Sequence, residues 1–232
     1  ENKAEFENVG QWKRAWYYPQ NGENMHEAVQ RESKAARDSA GILDASTLGK
    51  IDIQGTDASE FLNRVYTNAW SKLEIGKCRY GLMLNEDGMV YDDGVTTRLD
   101  ENHYIMTTTT GGAATVLGKL EDYLQTEWPE LDVYLTSVTD HYATISVCGP
   151  NSKKIIQKVI PEIDLSDKDF PHMSFKNSKI GKVKCRVMRI SFTGEQSYEI
   201  NIQANYAKSV WENCMEAGKE FNITPYGTET MH

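Results

Sequence analysis

No stretch of this chain approaches the roughly 18 consecutive apolar residues that a membrane-spanning helix needs. Its first ten residues, ENKAEFENVG, lack the basic-then-apolar order of a secretory signal. The chain therefore reads as cytoplasmic, with no membrane partner. Positive charge is also short: 25 Lys and Arg stand against 34 Asp and Glu, a formal net charge of -9. An acidic chain without a basic patch is repelled by nucleic acid and by anionic lipid, so neither is expected as a partner. The most basic-leaning stretch, FKNSKIGKVKCRVMR at 175–189, spaces its charges at every second or third residue, as the solvated face of a strand does. Cysteine is scarce and scattered. Cys78, Cys148, Cys185 and Cys214 form no C-x-x-C pair, so neither a zinc site nor a disulfide framework is indicated, and reduced, mostly buried thiols are expected. His26, His103, His141, His172 and His232 share no metal-ligand spacing, and no metal site is expected.

What is present is an ordinary globular composition, 39% hydrophobic and 25% charged, in a chain long enough to fill a core without staples. After an aromatic opening, FENVGQWKRAWYYP, residues 24–40 have helix-forming composition, with Asn24 to cap and Gly41 to stop them. GKIDIQG at 49–55 alternates as a strand. Thr56 or Asp57 can cap the following helix, whose Phe61, Leu62 and Val65 share a face. Strands are expected at 79–84, 89–99 and 103–108, the first two joined by the turn NEDG. A helix over 111–125 carries Val116, Leu117, Leu120, Tyr123 and Leu124 at three- and four-residue spacings. Strands at 132–137 and 142–148, a helix from Pro150 or Asn151, strands at 173–178, 182–191 and 197–203, and a helix over 205–218 complete the pattern. Strands and helices mix without strict alternation, which predicts an α+β fold with mostly antiparallel sheets. The ending NITPYGTETMH reads as turn residues with no packed element after them, and the sequence as a fragment of a longer polypeptide.

Two acidic clusters could carry chemistry. In NEDGMVYDDGV at 85–95, successive strand side chains point to opposite faces, so Asp92 and Asp93 cannot enter one pocket. On these grounds alone the pair reads as a polar edge strand. In SFTGEQSYEI at 191–200, Gly194 marks a turn or bulge, leaving Glu195 on a loop and Glu199 in the sheet, where a carboxylate needs donors or solvent. VCGPNS at 147–152 lacks the spacing of a phosphate loop and reads as a strand-to-helix connection.

Four blocks in order, LDASTLGKIDIQGTDASEFLNRVYTN, RYGLMLNEDGMVYDDGV, ISVCGPNS and SFTGEQSYEI, resemble the folate-binding aminomethyltransferases typified by the glycine cleavage T-protein. The resemblance covers the chain from about residue 30 onward. Within that family the aromatic opening, VYDDGVTTRLDENHYIMTTTTGGAA and PYGTETMH look most like the alpha subunits of heterotetrameric sarcosine oxidases. It implies two interleaved lobes of mostly antiparallel sheet with helices, without the family's C-terminal barrel domain. Residues 1–232 would form one folate-binding domain with roughly 50–135 as an inserted lobe. It also implies capture by tetrahydrofolate of the one-carbon unit of oxidised sarcosine, with release of glycine. The alternatives are a stand-alone aminomethyltransferase of the T-protein type, a dimethylglycine dehydrogenase-like module, or a docking domain that has lost folate binding. Flavin and NAD would be held elsewhere in the assembly, and the partners would be the rest of the alpha subunit and the other subunits.

Register with the family's M-L-N-x-x-G-G-x-x-D-D pattern puts its functional acid at Asp93; Met89 stands at the second Gly, and Gly94 replaces the hydrophobic residue after the acids. Glu199 matches the second Glu of G-E-x-x-[aromatic]-E, where a carboxylate accepts paired N–H donors of the pterin as a fork. Glu195, the first, is the fallback. Tyr80 and Phe192 fall where the family has aromatics near the folate, although a core aromatic explains Tyr80 nearly as well. TTTTGG at 107–112 could supply hydroxyls or amides, or simply end a strand.

Overall fold

The computed structural model describes residues 3–231. In chain order its elements are β1 (Glu5–Val9), β2 (Trp12–Tyr17), α1 (Met25–Asp38), β3 (Gly41–Asp44), β4 (Gly49–Gln54), α2 (Ala58–Val65), β5 (Cys78–Leu84), β6 (Val90–Asp100), β7 (His103–Thr108) and α3 (Ala113–Asp122). There follow β8 (Tyr134–Ser137), β9 (Tyr142–Cys148), α4 (Ser152–Val159), β10 (Ser174–Ile180), β11 (Val183–Arg189), β12 (Ser197–Gln203), α5 (Ala207–Gly218) and β13 (Thr224–Pro225). The fold is α+β. Among the described residues no helix is long and apolar enough to cross a membrane.

The residues divide into two compact units. One comprises the chain up to Thr47, Tyr142–His172 and everything from Lys176. Its six-stranded sheet has the order β10-β11-β12-β9-β3-β13; β11–β12, β12–β9 and β9–β3 pair antiparallel, and β13 lies parallel to β3. One face carries Ile42, Ile145, Val147, Val187, Ile200 and Ile202, which share a core with Ile155 and Ile156 of α4 and Val210 and Cys214 of α5. Burying each such aliphatic side chain contributes about 1.5–3 kcal/mol. The α1 helix starts where Asn24 accepts from the Glu27 amide while the Glu27 carboxylate accepts from the Asn24 amide, a reciprocal cap that satisfies two otherwise orphaned donors.

The segment after Ile223, read from the sequence as turn residues, is packed. Tyr226 is 2% exposed and Trp16 Nε1 donates to Glu229 at 2.7 Å. The reason is Glu32, fully buried in α1. Its carboxylate accepts from the Tyr18 amide at 2.7 Å, the Gly227 amide at 2.9 Å and the Thr230 hydroxyl at 2.6 Å. The aromatic opening likewise folds into the hairpin β1–β2, turned at Gly10, whose φ is 59°.

The second unit comprises Leu48–His141 with Met173–Phe175. Its five-stranded sheet runs β5-β6-β7-β4-β8, with every neighbouring pair antiparallel. Ile51, Ile53, Met83, Tyr104 and Met106 form its core with Phe61 and Leu62 of α2 and Val116 and Leu120 of α3. Asp57 precedes α2 but its side chain makes no cap; Asp57 instead accepts from the Asp132 amide at 2.9 Å. The α3 helix gives way at Tyr123–Glu127 to one wider turn, closed by Trp128 N donating to Tyr123 O at 2.8 Å.

Candidate functional site

In the second unit the acids lie on β6, opposite β5: Met83 faces Asp92, Leu82 faces Asp93 and Gly81 faces Gly94. The register slips between Met83 and Leu84, where Tyr91 is the extra residue. Asp92 shares its face with Met83 and Thr96, toward the core, and is 4% exposed. Thr109 answers it from the end of β7, with its hydroxyl donating at 2.6 Å and its amide at 3.2 Å. The chain at Gly112 passes so close that a Cβ there would stand 2.8 Å from Asp92 Oδ1. Asp92 is thus a staple between β6 and the start of α3, and its oxygens are committed.

Burial raises the Asp92 carboxyl above its ordinary range, with the Thr109 bonds opposing. A folded-state pKa above the unfolded one gives stability that is full below the unfolded value and lost as pH rises through the folded one. Asp92→Asn does not titrate, so its stability should gain on the unmutated protein as pH rises from about 4 to 7. Urea unfolding at the two pH values checks this, and a difference moving the other way refutes it.

Asp93 faces the other way and is half-buried. Tyr80, two residues along β5 from Leu82 and so on the same face, is 49% exposed and its phenol donates to Asp93 Oδ2 at 2.7 Å. That bond, ahead of burial, pushes the phenol up to about 12, so Tyr80 stays a proton donor at physiological pH. Asn68 Nδ2 holds the Tyr80 carbonyl at 2.5 Å. Gly94 follows because any larger residue collides: a Cβ would meet the Thr107 carbonyl at 1.9 Å. Thr107 Oγ1 accepts from the Val95 amide at 3.0 Å and contacts the Val95 carbonyl at 3.3 Å. Of the threonines of TTTTGG, Thr107 thus serves β6 and Thr109 serves Asp92. The sequence left their role open.

In the first unit Glu199 sits on β12 between Met188 of β11 and Ser146 of β9, half-buried. It lies on the face away from the core, in a polar strip. There Ser146 and Ser197 share a hydrogen bond of 3.3 Å and Thr144 Oγ1 donates to Asn201 Oδ1 at 3.1 Å. Glu195 is on the preceding loop, after Gly194 with φ 81°, and pairs with Arg37 of α1 at 2.8 Å. Phe192, on the same loop, is 76% exposed. A cavity of about 830 Å³ in this unit, lined by Lys176, Lys184, Arg186 and Asn201 among others, contains none of the five candidates. The four cysteines are buried free thiols. Among the described residues no three His, Cys, Asp or Glu side chains cluster as metal ligands.

Of the five candidates, then, the structure joins Asp93 to Tyr80 in one unit, and places Glu199 on the strand that follows the Phe192–Glu195 loop in the other.

Comparison with known proteins bears on what these residues do. Sarcosine oxidase subunit alpha of Corynebacterium sp. (strain U-96) is 59% identical over 99% of this chain, which spans 24% of that subunit. The aminomethyltransferase of Thermoanaerobacter sp. (strain X514) is 32% identical over 87% of the chain and 53% of its own length. Among solved structures, glycine cleavage system aminomethyltransferase T from Bartonella henselae superposes with a TM-score of 0.80 at 21% identity, over 99% of this chain and 57% of that one. The chain therefore spans about a quarter to about half of the relatives it matches. The family model for the GCVT N-terminal domain matches residues 1–232, and the chain belongs to that family.

Proposed function

We propose that this chain is the folate-binding module of a sarcosine oxidase alpha subunit, which captures the one-carbon unit of oxidised sarcosine and releases glycine. The observation that carries the reading is the Asp93–Tyr80 pair. It is a partly accessible carboxylate on the sheet face away from the core, with one oxygen fixed by a phenol that stays protonated. The identity of 59% to a sarcosine oxidase subunit alpha, against 32% to an aminomethyltransferase, favours the oxidase over a stand-alone aminomethyltransferase.

The residues present fit the group. A pterin offers neighbouring N–H donors, and the Glu199 carboxylate on its polar strip is the acceptor fork for them. Glu195 would first have to leave Arg37. Phe192 and the Tyr80 ring offer apolar faces for packing. When bound, tetrahydrofolate supplies the amine nitrogens that take up the one-carbon unit as 5,10-methylenetetrahydrofolate. Asp93 Oδ1 accepts the proton shed there and its charge favours the cationic transition state. Tyr80 keeps Oδ2 occupied and so aims Oδ1. Asp92 cannot substitute, because both of its oxygens serve Thr109. Flavin and NAD belong to other parts of the parent assembly, and the rest of the alpha subunit and the other oxidase subunits are the partners.

Calorimetric titration of folinic acid into the assembled enzyme tests this. Glu199→Gln should weaken binding roughly tenfold to a hundredfold, since a hydrogen bond to a charged group contributes about 1.5–3 kcal/mol. No binding by the unmutated enzyme would leave a subunit-docking module that has lost folate.

A further inference from the structure

On the sequence, Glu195 is the fallback to Glu199 as acceptor for the pterin; in the structure it already has a partner. The turn at 191–196 is closed on itself. The Ser191 hydroxyl accepts from the Gly194 amide at 3.1 Å and donates to the Glu195 carbonyl at 2.5 Å. Its exit is pinned to the start of α4, because the Gln196 carbonyl accepts from the Gly149 amide and from the Ser152 hydroxyl, each at 2.9 Å. Past that pin the chain continues as β12, which carries Glu199. The tip of the turn meets Arg37 of α1. Arg37 Nη1 donates to Glu195 Oε1 at 2.8 Å, and a Cβ on Gly194 would stand 4.0 Å from the same nitrogen. Arg37 is itself well placed to hold a neighbour. It lies in the last turn of α1, where a cation favours the helix dipole, and two residues on the Ser39 carbonyl accepts from the Asn151 amide at 3.0 Å. Closure, pin and guanidinium together set the orientation in which the turn presents Phe192, whose ring stands in solvent.

We propose that Arg37 is a positioning residue for the pterin site, acting through Glu195 to hold the turn that presents Phe192, and that Glu199 alone supplies the carboxylate fork. The inference rests on the folate reading above and decides between its two glutamates. A pair as open to solvent as this one contributes little to global stability, and the Ser191 and Gln196 bonds keep the turn folded without it. What the pair restricts is the freedom of the tip. A ring already in place costs less to order when an aromatic ligand packs on it.

The test is a pair of double-mutant cycles on the assembled enzyme, titrated with folinic acid, with thermal midpoints recorded. Arg37→Met and Glu195→Gln should each weaken binding about threefold to fivefold, and the double variant no more than either, because all three lose the same pair. In a Phe192→Ala background, Arg37→Met should change affinity by less than about twofold. If Phe192→Ala binding falls out of range, the Arg37–Glu195 cycle decides alone. Midpoints should stay within about 3 °C of the unmutated enzyme. A loss in Glu195→Gln exceeding that in Arg37→Met by more than about threefold would make Glu195 the pterin acceptor and overturn the inference. Unchanged affinity in Arg37→Met, additive losses in the double variant, a full Arg37→Met effect without Phe192, or weakening that merely tracks a large fall in midpoint would overturn it too. Each of these leaves the folate reading standing. Failure of the unmutated enzyme to bind folinic acid would overturn both.

Discussion

Replacing Glu32 with alanine should lower the thermal midpoint by about 12 °C, the largest stability effect expected from one substitution in the first unit. The carboxylate is fully buried and meets three donors, two of them backbone amides. Each buried donor left without a partner costs about 1–3 kcal/mol. A total of about 4 kcal/mol corresponds to roughly 8–16 °C in a domain of this size. Glu32→Gln retains one acceptor oxygen and should lose about half as much. Calorimetry on the three proteins decides the matter; an alanine variant within about 3 °C of the unmutated midpoint would show that water or a shifted side chain replaces the carboxylate.

On the folate reading proposed above, the largest functional effect is expected from Asp93→Asn. In an assembled sarcosine oxidase supplied with tetrahydrofolate, oxidation of sarcosine should continue at its normal rate. Formation of 5,10-methylenetetrahydrofolate should fall by about 10²- to 10³-fold, within the range for loss of one positioned proton acceptor. Formaldehyde from hydrolysis should take its place. Asp92→Asn should leave the ratio of the two products as it was, because that side chain points into the core and serves Thr109. Equal loss in the two variants would show that the pair acts through the fold of β6 and that Asp93 has no proton to accept.

How far the sequence reaches depends on the distance between the residues that make each feature. The α1 cap joins residues three apart, Asn24 and Glu27, and is readable from spacing. The strands flanking NEDG, and the opposite facing of Asp92 and Asp93, follow from period-two alternation and are found in β5 and β6. The strand GILD was not foreseen. Four residues are too few to show a period, and it is held by β9, more than a hundred residues on. The hairpin β1–β2 hid in a stretch read only as aromatic. Glu32 gave no signal at all, because its donors come from Tyr18, Gly227 and Thr230. The same holds at the candidate site. That Asp92 is buried depends on Thr109, seventeen residues away across a hairpin, and the Tyr80–Asp93 bond depends on a register that alternation alone does not set. Composition could name the acids but could not say which donors had already claimed them.

The arrangement of Glu32 also sets a timetable. Its second and third donors lie 195 and 198 residues further along the chain. At ordinary rates of synthesis, about 5–20 residues per second, the carboxylate leaves the ribosome roughly 10–40 s before they exist. In that interval it has only the Tyr18 amide. The second unit, drawn almost wholly from the continuous stretch Leu48–His141, emerges complete but for three residues while the first has only β3 of its six-stranded sheet. Nearby contacts form faster than distant ones, so the lobe that carries Asp93 is placed to fold on the ribosome, and the lobe that carries Glu199 closes last, when Gly227 and Thr230 arrive.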